Sequence, residues 1–375
     1  MVDDKKIAIK QSQKSIKKPQ FILQWHLTAR CEQKCAHCYM REEVSYKEEI
    51  EKELSYKDCL KVLNDYLQMV DKLNASASIN FTGGDPLLKP ELFDLIKEST
   101  RKGVSVGILG NPNLLTPQIV KKLKNCGLVR YQLSLDGLEK THDRLRGRKG
   151  LFKDTLRAIE VLQNEDIRTL VMFTLSKENS RDLIPLIRLV AKLKVSLFDF
   201  ARLVPVGSGK TLMDAMMKPQ EYRELLLAVL EEYKRFEEND CFTYFGRKDH
   251  LWNLLYEELG LFQFPRDEDK NLIYGGCNIG NNILSLLADG TVYACRRLPI
   301  KIGKVPEESI WKIFFDSQKL DEMRKIEKMK KCGQCKLLRF CRGCPAVAFG
   351  ANKSYFAADP QCWRETREGV ILNEF

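Results

Sequence analysis

The chain has 375 residues, of which 44% are hydrophobic and 30% charged, with a formal net charge of +11 and 13 cysteines. This length and composition are typical of a globular protein with one large and one smaller domain. Residues 1–20 contain no apolar segment of a signal peptide, and no apolar run is long enough to span a membrane, so the sequence predicts a cytoplasmic protein without a membrane partner.

The positive charge does not by itself favour a nucleic-acid partner. Lys and Arg are mixed with Glu on helical segments such as 216–238, as on the solvated face of a helix. Residues 1–20 carry six Lys within their first eighteen positions and are predicted to form a basic tail. In a reducing compartment the cysteines indicate metal ligands and buried thiols rather than disulfides.

Short apolar runs alternate with amphipathic segments over roughly the first half of the chain. We predict strands over 21–27, 77–83, 104–109, 129–137, 169–176 and 195–204, and helices over 56–73, 91–102, 117–125, 151–164 and 180–193. Alternating strands and helices predict a parallel sheet of about six βα units. The predicted fold class is therefore α/β, with a partial (β/α)6 TIM-like barrel over residues 21–212.

Three cysteines follow the first predicted strand in the segment CEQKCAHCY, namely Cys31, Cys35 and Cys38. Their spacing is C-x3-C-x2-C. A structural zinc site would usually take a fourth Cys or His, and a disulfide scaffold would use an even set of cysteines. Three thiols therefore indicate a metal centre with one open position, at the edge of the barrel where active sites collect.

Two other motifs end predicted strands at the same edge. In FTGGDP, Gly83 and Gly84 would let the backbone approach a ligand closely, and Asp85 offers a carboxylate. In LSLDG, Ser134 and Asp136 come at the end of the fourth strand. Each motif alone is also typical of a turn or a helix cap, but their shared placement favours a site.

The cysteine motif after strand one and the glycine-rich acidic turn after strand two resemble those of the radical SAM superfamily, and the resemblance covers almost the whole chain. It implies that Cys31, Cys35 and Cys38 hold a 4Fe–4S cluster. The open iron of that cluster would bind S-adenosylmethionine (SAM) and cleave it reductively to a 5′-deoxyadenosyl radical. The resemblance also implies a flavodoxin- or ferredoxin-type protein as the electron donor.

The same resemblance implies contacts to SAM. The turn at Gly83, Gly84 and Asp85 would contact the methionine amino group, although many relatives have Glu in place of this Asp. Ser134 and Asp136 would contact the ribose or the carboxylate, and Arg202 would pair with the carboxylate bidentately. His37 is predicted to meet the adenine, with a loop residue of no special role as the alternative, and Tyr39 is predicted to be a further cofactor-binding residue.

The second half of the chain has its own cysteine pattern after a predicted helical linker, 213–270. Two alternating runs joined at Asp289-Gly290 predict a β-hairpin. The pattern C-x12-G-x4-C, then C-x2-C-x5-C-x2-C and a last Cys, resembles the SPASM domain, which we place at residues 271–375. A pair of zinc-ribbon units is the alternative interpretation.

This second resemblance implies two auxiliary iron–sulfur clusters. The outer cluster would be held by Cys332, Cys335, Cys341 and Cys362, and the inner cluster by Cys277, Cys295 and Cys344. A fourth inner ligand would come from Cys241, from a group other than Cys or from the substrate. We prefer an inner cluster that is incomplete or completed from outside.

The predicted function is a peptide maturase that abstracts hydrogen from a ribosomally made peptide to modify a side chain, because most SPASM proteins act on peptides or proteins. A separate leader-binding protein, or the segment 216–262, would then bind the leader. The segments CRGC and AADPQC resemble a branch that contains maturases of peptide-derived cofactors and also enzymes of the alternative haem and haem d1 pathways. A tetrapyrrole-modifying enzyme is therefore the alternative.

A tetrapyrrole substrate predicts a basic pocket, which HDRLRGRKG (142–150) and Arg202 would supply. A third hypothesis is a non-catalytic electron-transfer or scaffold protein. That hypothesis requires no SAM site, so the turn at residues 83–85 argues against it.

Overall fold

The structure, a computed structural model, describes residues 18–41 and 43–365, and it leaves the side chains of 43–46 undescribed. The basic tail predicted at residues 1–20 therefore lies almost wholly outside the described residues. The same holds for the last ten residues of the predicted SPASM domain, 366–375.

The described part of the chain contains one ten-stranded sheet with the order β10-β9-β8-β1-β2-β3-β4-β5-β6-β7. Neighbouring strands from β8 to β7 are parallel, whereas β9 and β10 are antiparallel to their neighbours. The strands are β1 (Gln20–Thr28), β2 (Ser76–Gly83), β3 (Ser105–Leu109), β4 (Arg130–Ser134), β5 (Arg168–Leu175), β6 (Leu197–Arg202), β7 (Tyr244–Phe245), β8 (Ile283–Leu286), β9 (Thr291–Cys295) and β10 (Leu298–Lys304). The six predicted strands are all present, and the α/β fold class is confirmed.

Helices connect the parallel strands, as the amphipathic segments predict. They are α1 (Glu43–Glu51), α2 (Tyr56–Lys72), α3 (Leu92–Arg101), α4 (Pro117–Asn125), α5 (Glu139–Arg146), α6 (Leu151–Asn164), α7 (Leu183–Lys192), α8 (Pro219–Glu238) and α9 (Trp252–Glu258). Three further helices follow the last strand: α10 (Ile310–Asp316), α11 (Gln318–Arg324) and α12 (Pro345–Asn352). Local chemistry fixes their starts: the Ser55 side chain accepts the backbone N–H of Asp58 at the start of α2, and Thr116 caps α4 ahead of Pro117. Helices α1, α5, α10, α11 and α12 were not predicted.

The two faces of the parallel sheet differ in polarity. On β1 and β2, the pairs Leu23–Ile79 and Trp25–Phe81 are fully buried in the hydrophobic core. The alternate positions on the same strands are polar, as in the pair Gln24–Asn80. Since successive side chains of a strand point to opposite faces, this alternation gives the sheet one apolar face and one polar face.

The hairpin of the cysteine-rich region continues the barrel sheet. Strands β8 and β9 form the predicted antiparallel hairpin, and Gly290 adopts φ +88° in its turn. Strand β8 also pairs in parallel with β1, with Leu284 opposite Leu23. The two predicted domains therefore share backbone hydrogen bonds, which the sequence did not indicate, while the predicted domain boundaries stay predictions.

Candidate active site

The three cysteines that follow β1 line one cavity of about 190 Å³ at the carboxyl edge of the parallel strands. The loop that carries Cys31, Cys35 and Cys38 is held from two sides. The backbone N–H of Ala36 donates to the carbonyl of Leu145 at 2.9 Å, and the carbonyl of Cys38 accepts the N–H of Ser208 at 2.9 Å. The chain therefore brings the three thiols together as predicted.

The surroundings of these thiols fit a positively charged metal cluster. Burial raises the pKa of Cys35 to about 11, although Arg146 acts to lower it, so a bound cation is needed to hold the group as a thiolate at neutral pH. The side-chain amide N–H of Asn111 lies 3.4 Å from Sγ of Cys31. Gln33 is buried and also lines the cavity, and its Nε2 has no hydrogen-bond partner among the described residues. Thiols with amide and guanidinium donors beside them suit an iron–sulfur cluster.

Within residues 18–41 and 43–365, no group of three or more His, Cys, Asp or Glu side chains is arranged to hold a single metal ion.

The glycine turn after β2 brings two segments of backbone together. A Cβ on Gly83 would lie 2.2 Å from the carbonyl oxygen of Thr28, and one on Gly84 would lie 2.1 Å from that of Arg30. Both glycines line the cavity. The sequence predicted their close approach to a ligand, and the structure shows that they also pack against the end of β1.

Asp85 does not line the cavity with its two neighbouring glycines. Its Oδ1 accepts the backbone N–H of Leu87 at 3.1 Å and caps the short helical turn that follows. Burial raises the pKa of Asp85 to about 6. The predicted contact between this carboxylate and SAM therefore stays a prediction, and the structure gives Asp85 a capping role.

At the end of β4, Ser134 lines the cavity whereas Asp136 lies behind its wall. Asp136 is fully buried, and its Oδ2 accepts Nε of Arg146 at 2.5 Å and lies 3.2 Å from Nε2 of His37. Its Oδ1 accepts the backbone N–H of Thr174 at 2.7 Å. Burial alone would raise the pKa of Asp136, but Arg146 and then His37 outweigh burial and hold it below its usual range.

His37 and Tyr39, both predicted to bind the cofactor, line the cavity, yet each also has a partner in the protein. His37 pairs with Asp136, so its ring is oriented by that carboxylate. The ring of Tyr39 lies edge-on to His26, with centroids 6.2 Å apart. The Arg296 guanidinium lies 5.5 Å from the centroid of the Tyr39 ring, within the range of a cation–π contact.

Arg202 requires a correction. Its guanidinium is buried and donates Nη1 and Nη2 to the two oxygens of Asp359 at 2.7 and 2.8 Å. Nε donates to Asp249 at 2.8 Å, and Nη1 also reaches Gln361 at 3.1 Å. Four of its five N–H groups are thus bound within the protein. Arg202 borders the cavity, but the bidentate partner that we predicted to be the SAM carboxylate is a carboxylate of the chain itself.

Three cations that the sequence did not single out form one wall of the cavity: Lys248, Arg296 and Arg297. Within the part of the chain that the structure describes, none of them makes a side-chain hydrogen bond or an ion pair. Desolvation by the surrounding protein, with Arg296 and Arg297 next, lowers the pKa of Lys248 to about 8, although the residue stays exposed to solvent. We call these three residues the cationic wall. The only signal in the sequence for Arg296 and Arg297 is that they directly follow Cys295. No such signal marks Lys248.

The predicted basic segment 142–150 contributes less than expected. Only Arg146 of its arginines borders the cavity. Arg144 is paired with Glu178 at the surface, and Arg148 is paired with Asp154.

The predicted ligands of the inner cluster lie close to one another. Burial raises the pKa of Cys277 to about 12, and Cys344 and Cys295 contribute to this rise. Arg297 of the cationic wall interacts electrostatically with all three thiols. Cys241 does not join them. It lies just before β7, which pairs with the first residues of β6, and so belongs to the opposite edge of the sheet.

The four predicted ligands of the outer cluster are also neighbours. Cys332, Cys335, Cys341 and Cys362 interact electrostatically with one another, and burial raises the pKa of Cys332 to about 12. The backbone N–H of Cys335 donates to the carbonyl of Cys332 at 2.9 Å. Nζ of Lys331 donates to the carbonyl of Cys362 at 3.1 Å. The segment therefore folds back to bring its most distant cysteine to the other three.

Among the described helices, none combines the length and the apolar character that crossing a membrane requires.

Sequence comparison identifies the two halves of the chain separately. Residues 25–190 match the profile of the Radical SAM superfamily, and residues 277–345 match that of SPASM, an iron-sulfur cluster-binding domain. Together the two matches cover more than half of the chain.

Curated relatives span almost the whole chain. An AdoMet-dependent heme synthase of Methanosarcina barkeri is 27% identical over 91% of this chain and 95% of its own length. The mycofactocin maturase of Mycolicibacterium smegmatis is 26% identical over 91% of this chain and 82% of its own. Among solved structures, SuiB of Streptococcus suis bound to S-adenosylmethionine superposes with a TM-score of 0.72 at 18% identity, covering 92% of this chain and 78% of that one. The likeness to SuiB is one of fold.

Proposed function

Because the chain belongs to the radical SAM superfamily and carries a SPASM domain, we propose that it is an enzyme that removes a hydrogen atom from a tetrapyrrole bearing carboxylate side chains. The observation that supports this substrate class is the cationic wall of Lys248, Arg296 and Arg297. The heme synthase relative supports it independently. This proposal takes the alternative of our sequence analysis over the peptide substrate first predicted.

Cys31, Cys35 and Cys38 would hold the 4Fe–4S cluster that SAM binds. When bound, that cluster supplies one electron to the sulfonium of SAM, which yields the radical that takes the substrate hydrogen. Around it, Gly83, Gly84 and Ser134 would contact SAM, since they line the same cavity as the thiols. A flavodoxin- or ferredoxin-type donor remains part of the proposal.

The residues around Cys35 would keep this centre in one arrangement. The carboxylate of Asp136 accepts hydrogen bonds from the guanidinium of Arg146 and from the backbone N–H of Thr174. Arg146 in turn lies beside the thiol of Cys35. The same carboxylate orients His37. These contacts are charge-assisted and buried, so they restrict the motion of the loop more strongly than neutral hydrogen bonds would.

The three cations of the cationic wall have no hydrogen-bonded side-chain partner among the described residues, so they can bind an anion. Lys248 is exposed, and Arg296 and Arg297 are half-buried, so an anionic ligand in the cavity could reach them. Arg and Lys bind carboxylates through charge-assisted hydrogen bonds, and Arg does so bidentately. A tetrapyrrole with propionates carries carboxylates at the edge of a flat apolar ring, so its acid groups could reach the cationic wall while the ring faces the remainder of the cavity.

The cationic wall contacts both the segment of the predicted SAM cluster and that of the predicted inner cluster. Arg296 stacks on Tyr39, which follows Cys38 in the loop that holds the SAM cluster. The adjacent Arg297 interacts with the thiols of the inner set. A carboxylate bound by these arginines would therefore hold the substrate between the site of hydrogen removal and an auxiliary cluster that could accept an electron from it.

Peptide maturation is the second candidate function. Its support is the mycofactocin maturase relative, which covers a share of this chain equal to that of the heme synthase. In that case a separate leader-binding protein or the region of α8 and α9 would hold the leader. The unpaired cations of the cationic wall would then need acidic groups on the peptide.

The test is the binding of iron coproporphyrin, followed anaerobically by its absorbance, with release of 5′-deoxyadenosine from SAM measured in parallel. We expect the porphyrin to bind and to stimulate that release, and its methyl ester, which lacks the charges, to do neither. Lys248→Met should weaken binding, whereas Lys301→Met on the exposed edge of β10 should not. SAM cleavage that is indifferent to the porphyrin would refute the tetrapyrrole proposal and leave the peptide.

A further inference from the structure

Asp359 is a buried carboxylate between two cysteines that we assign to different clusters. Its Oδ1 accepts Nη1 of Arg202 at 2.7 Å and the backbone N–H of Gln361 at 3.0 Å. Its Oδ2 accepts Nη2 of Arg202 at 2.8 Å and the backbone N–H of Cys344 at 2.8 Å. Each oxygen thus receives two donors, and the side chain is only 1% exposed.

The backbone around Asp359 ties in the second cysteine. The carbonyl of Asp359 accepts the N–H of Cys362 at 3.1 Å. Gly343, which precedes Cys344, has φ +62°, and a Cβ placed there would lie 2.6 Å from Cβ of Asp359. One residue therefore contacts the backbone of a predicted inner ligand and of a predicted outer ligand, in space that only a glycine leaves open.

Arg202 connects this arrangement to the barrel. It is the last residue of β6 and borders the cavity that holds the Cys31 loop. Besides Asp359 it binds Asp249, and the ring of Tyr222 lies 5.2 Å from its guanidinium. A guanidinium that makes paired hydrogen bonds has a fixed orientation. Arg202 therefore fixes the position of Asp359 relative to the carboxyl end of the sheet.

We propose that Asp359 is a positioning residue that fixes the inner and outer auxiliary clusters relative to each other and, through Arg202, relative to the active cavity. This inference rests on the proposed ligand assignment. Electron transfer between centres depends on their separation and orientation, so a single carboxylate that is bonded to both cysteine segments and to the barrel has a role beyond the stability of one loop.

An amide cannot replace this carboxylate. Both oxygens of Asp359 accept two N–H groups, whereas Asn has one acceptor oxygen and one NH2 donor. An Asn side chain with its NH2 in the place of Oδ1 would face the N–H donors of Arg202 and Gln361. With its NH2 in the place of Oδ2 it would face those of Arg202 and Cys344. The substitution Asp359→Asn therefore breaks the contact to a cysteine segment whichever way the amide turns.

The experiment removes the SAM cluster so that only auxiliary signals remain. Full-length chain in which Cys31, Cys35 and Cys38 are all replaced by Ala is loaded with iron and sulfide, and its EPR spectrum and iron content are measured after reduction. Asp359→Asn and Asp249→Asn are then compared in this background. Asp249 is the matched control, because it also binds Arg202 in the interior but, among the described residues, makes no hydrogen bond to a cysteine segment.

We expect Asp359→Asn to change the EPR g-values of the auxiliary centres and to lose the iron of at least one cluster, about four atoms, while Asp249→Asn keeps both. Equal effects of the two variants, or none from Asp359→Asn, would overturn the inference alone. Absence of auxiliary iron in the background protein would overturn the ligand assignment and the inference with it.

A second variant covers the case in which Asp359→Asn does not fold. Gly343→Ala keeps every charge but forces a Cβ against Asp359. It should shift the same auxiliary g-values. Unchanged spectra in this variant would contradict the positioning role.

Discussion

Nη1 of Arg146 lies 3.7 Å from Sγ of Cys35, and the same guanidinium is fixed by its contact to Asp136. The arginine is therefore placed by a buried carboxylate beside one of the three thiols predicted to hold the SAM cluster. It lowers the pKa of Cys35 against the effect of burial, and so favours the thiolate that binds iron.

Replacing Arg146 by Gln should impair assembly of the SAM cluster. The change leaves the fully buried Asp136 without its main counter-charge, and loss of one partner of a buried pair costs about 3 kcal/mol. We expect less iron per chain and a lower midpoint of urea unfolding. Arg144→Gln on the same helix, where the arginine is exposed and pairs with Glu178, is the control and should change neither. Equal iron in both variants would count against this role of Arg146.

The three cysteines of the first motif should be separable from the auxiliary set. Replacement of Cys31, Cys35 and Cys38 by Ala should abolish the release of 5′-deoxyadenosine and remove the iron of one cluster, about four atoms. The absorbance of the auxiliary clusters should remain. Cys126→Ser, at the end of α4, is a matched thiol control with no expected effect. SAM cleavage by the triple variant would contradict the assignment.

The complementary change tests the outer cluster. Replacement of Cys332 and Cys335 by Ala should lower iron content and stop product formation, because these thiols lie with Cys341 and Cys362 in one group. Cleavage of SAM should survive, since the cavity around Cys31 is formed by other residues. Unchanged iron content would refute this ligand assignment.

Asp85 provides a test of capping against cofactor binding. Its pKa of about 6 lies above the ordinary value, so the folded state binds more protons than the unfolded state between about pH 4 and pH 6 and loses stability as the pH rises through that window. Asp85→Asn removes the buried charge and keeps an acceptor for the N–H of Leu87. We expect a gain of about 3 kcal/mol at pH 7 that disappears near pH 4, measured by urea unfolding.

SAM binding decides whether Asp85 also contacts the cofactor. Because the carboxylate does not line the cavity, Asp85→Asn should bind SAM as tightly as the unchanged chain in equilibrium dialysis. Gly84→Ala is the contrasting variant, since its Cβ would collide with the carbonyl of Arg30 and displace the turn. A large loss of affinity in Asp85→Asn would restore the direct contact predicted from the resemblance.

The sequence predicted those parts of the site that are encoded locally. The spacing of Cys31, Cys35 and Cys38 and the turn at Gly83 are each contained within a few residues, and alternating apolar periodicity located the strands that they follow. Such features depend on covalent neighbours, so they can be recognised without knowing which distant segments meet in the fold.

The remainder depends on contacts between distant segments. Arg202 and Asp359 are 157 residues apart in the chain, and no pattern in the sequence indicates that they pair. Lys248 follows β7 and Arg296 follows β9, yet both line the same cavity. In the sequence each is one charged residue among many. A lone cation has no periodicity and no spacing constraint, so its role follows only from the tertiary structure.

The pH dependence of ligand binding provides a test of the cationic wall. Lys248 has a pKa of about 8, because desolvation in the cavity and then the neighbouring Arg296 and Arg297 disfavour its charge. Below this pH the ammonium is present and attracts a carboxylate, and as the pH rises through 8 the charge is lost. We expect the affinity for iron coproporphyrin to fall about tenfold above pH 8, in line with the loss of one charge-assisted hydrogen bond.

Two variants distinguish this effect from other titrations. Lys248→Arg keeps its charge to much higher pH, so its affinity should remain high where that of the unchanged chain declines. Lys248→Met should bind weakly at every pH and show no step near pH 8. The measurement is an absorbance titration of iron coproporphyrin with SAM omitted, so that turnover does not contribute. A step near pH 8 that persists in Lys248→Met would assign the titration to another group and remove Lys248 from the carboxylate site.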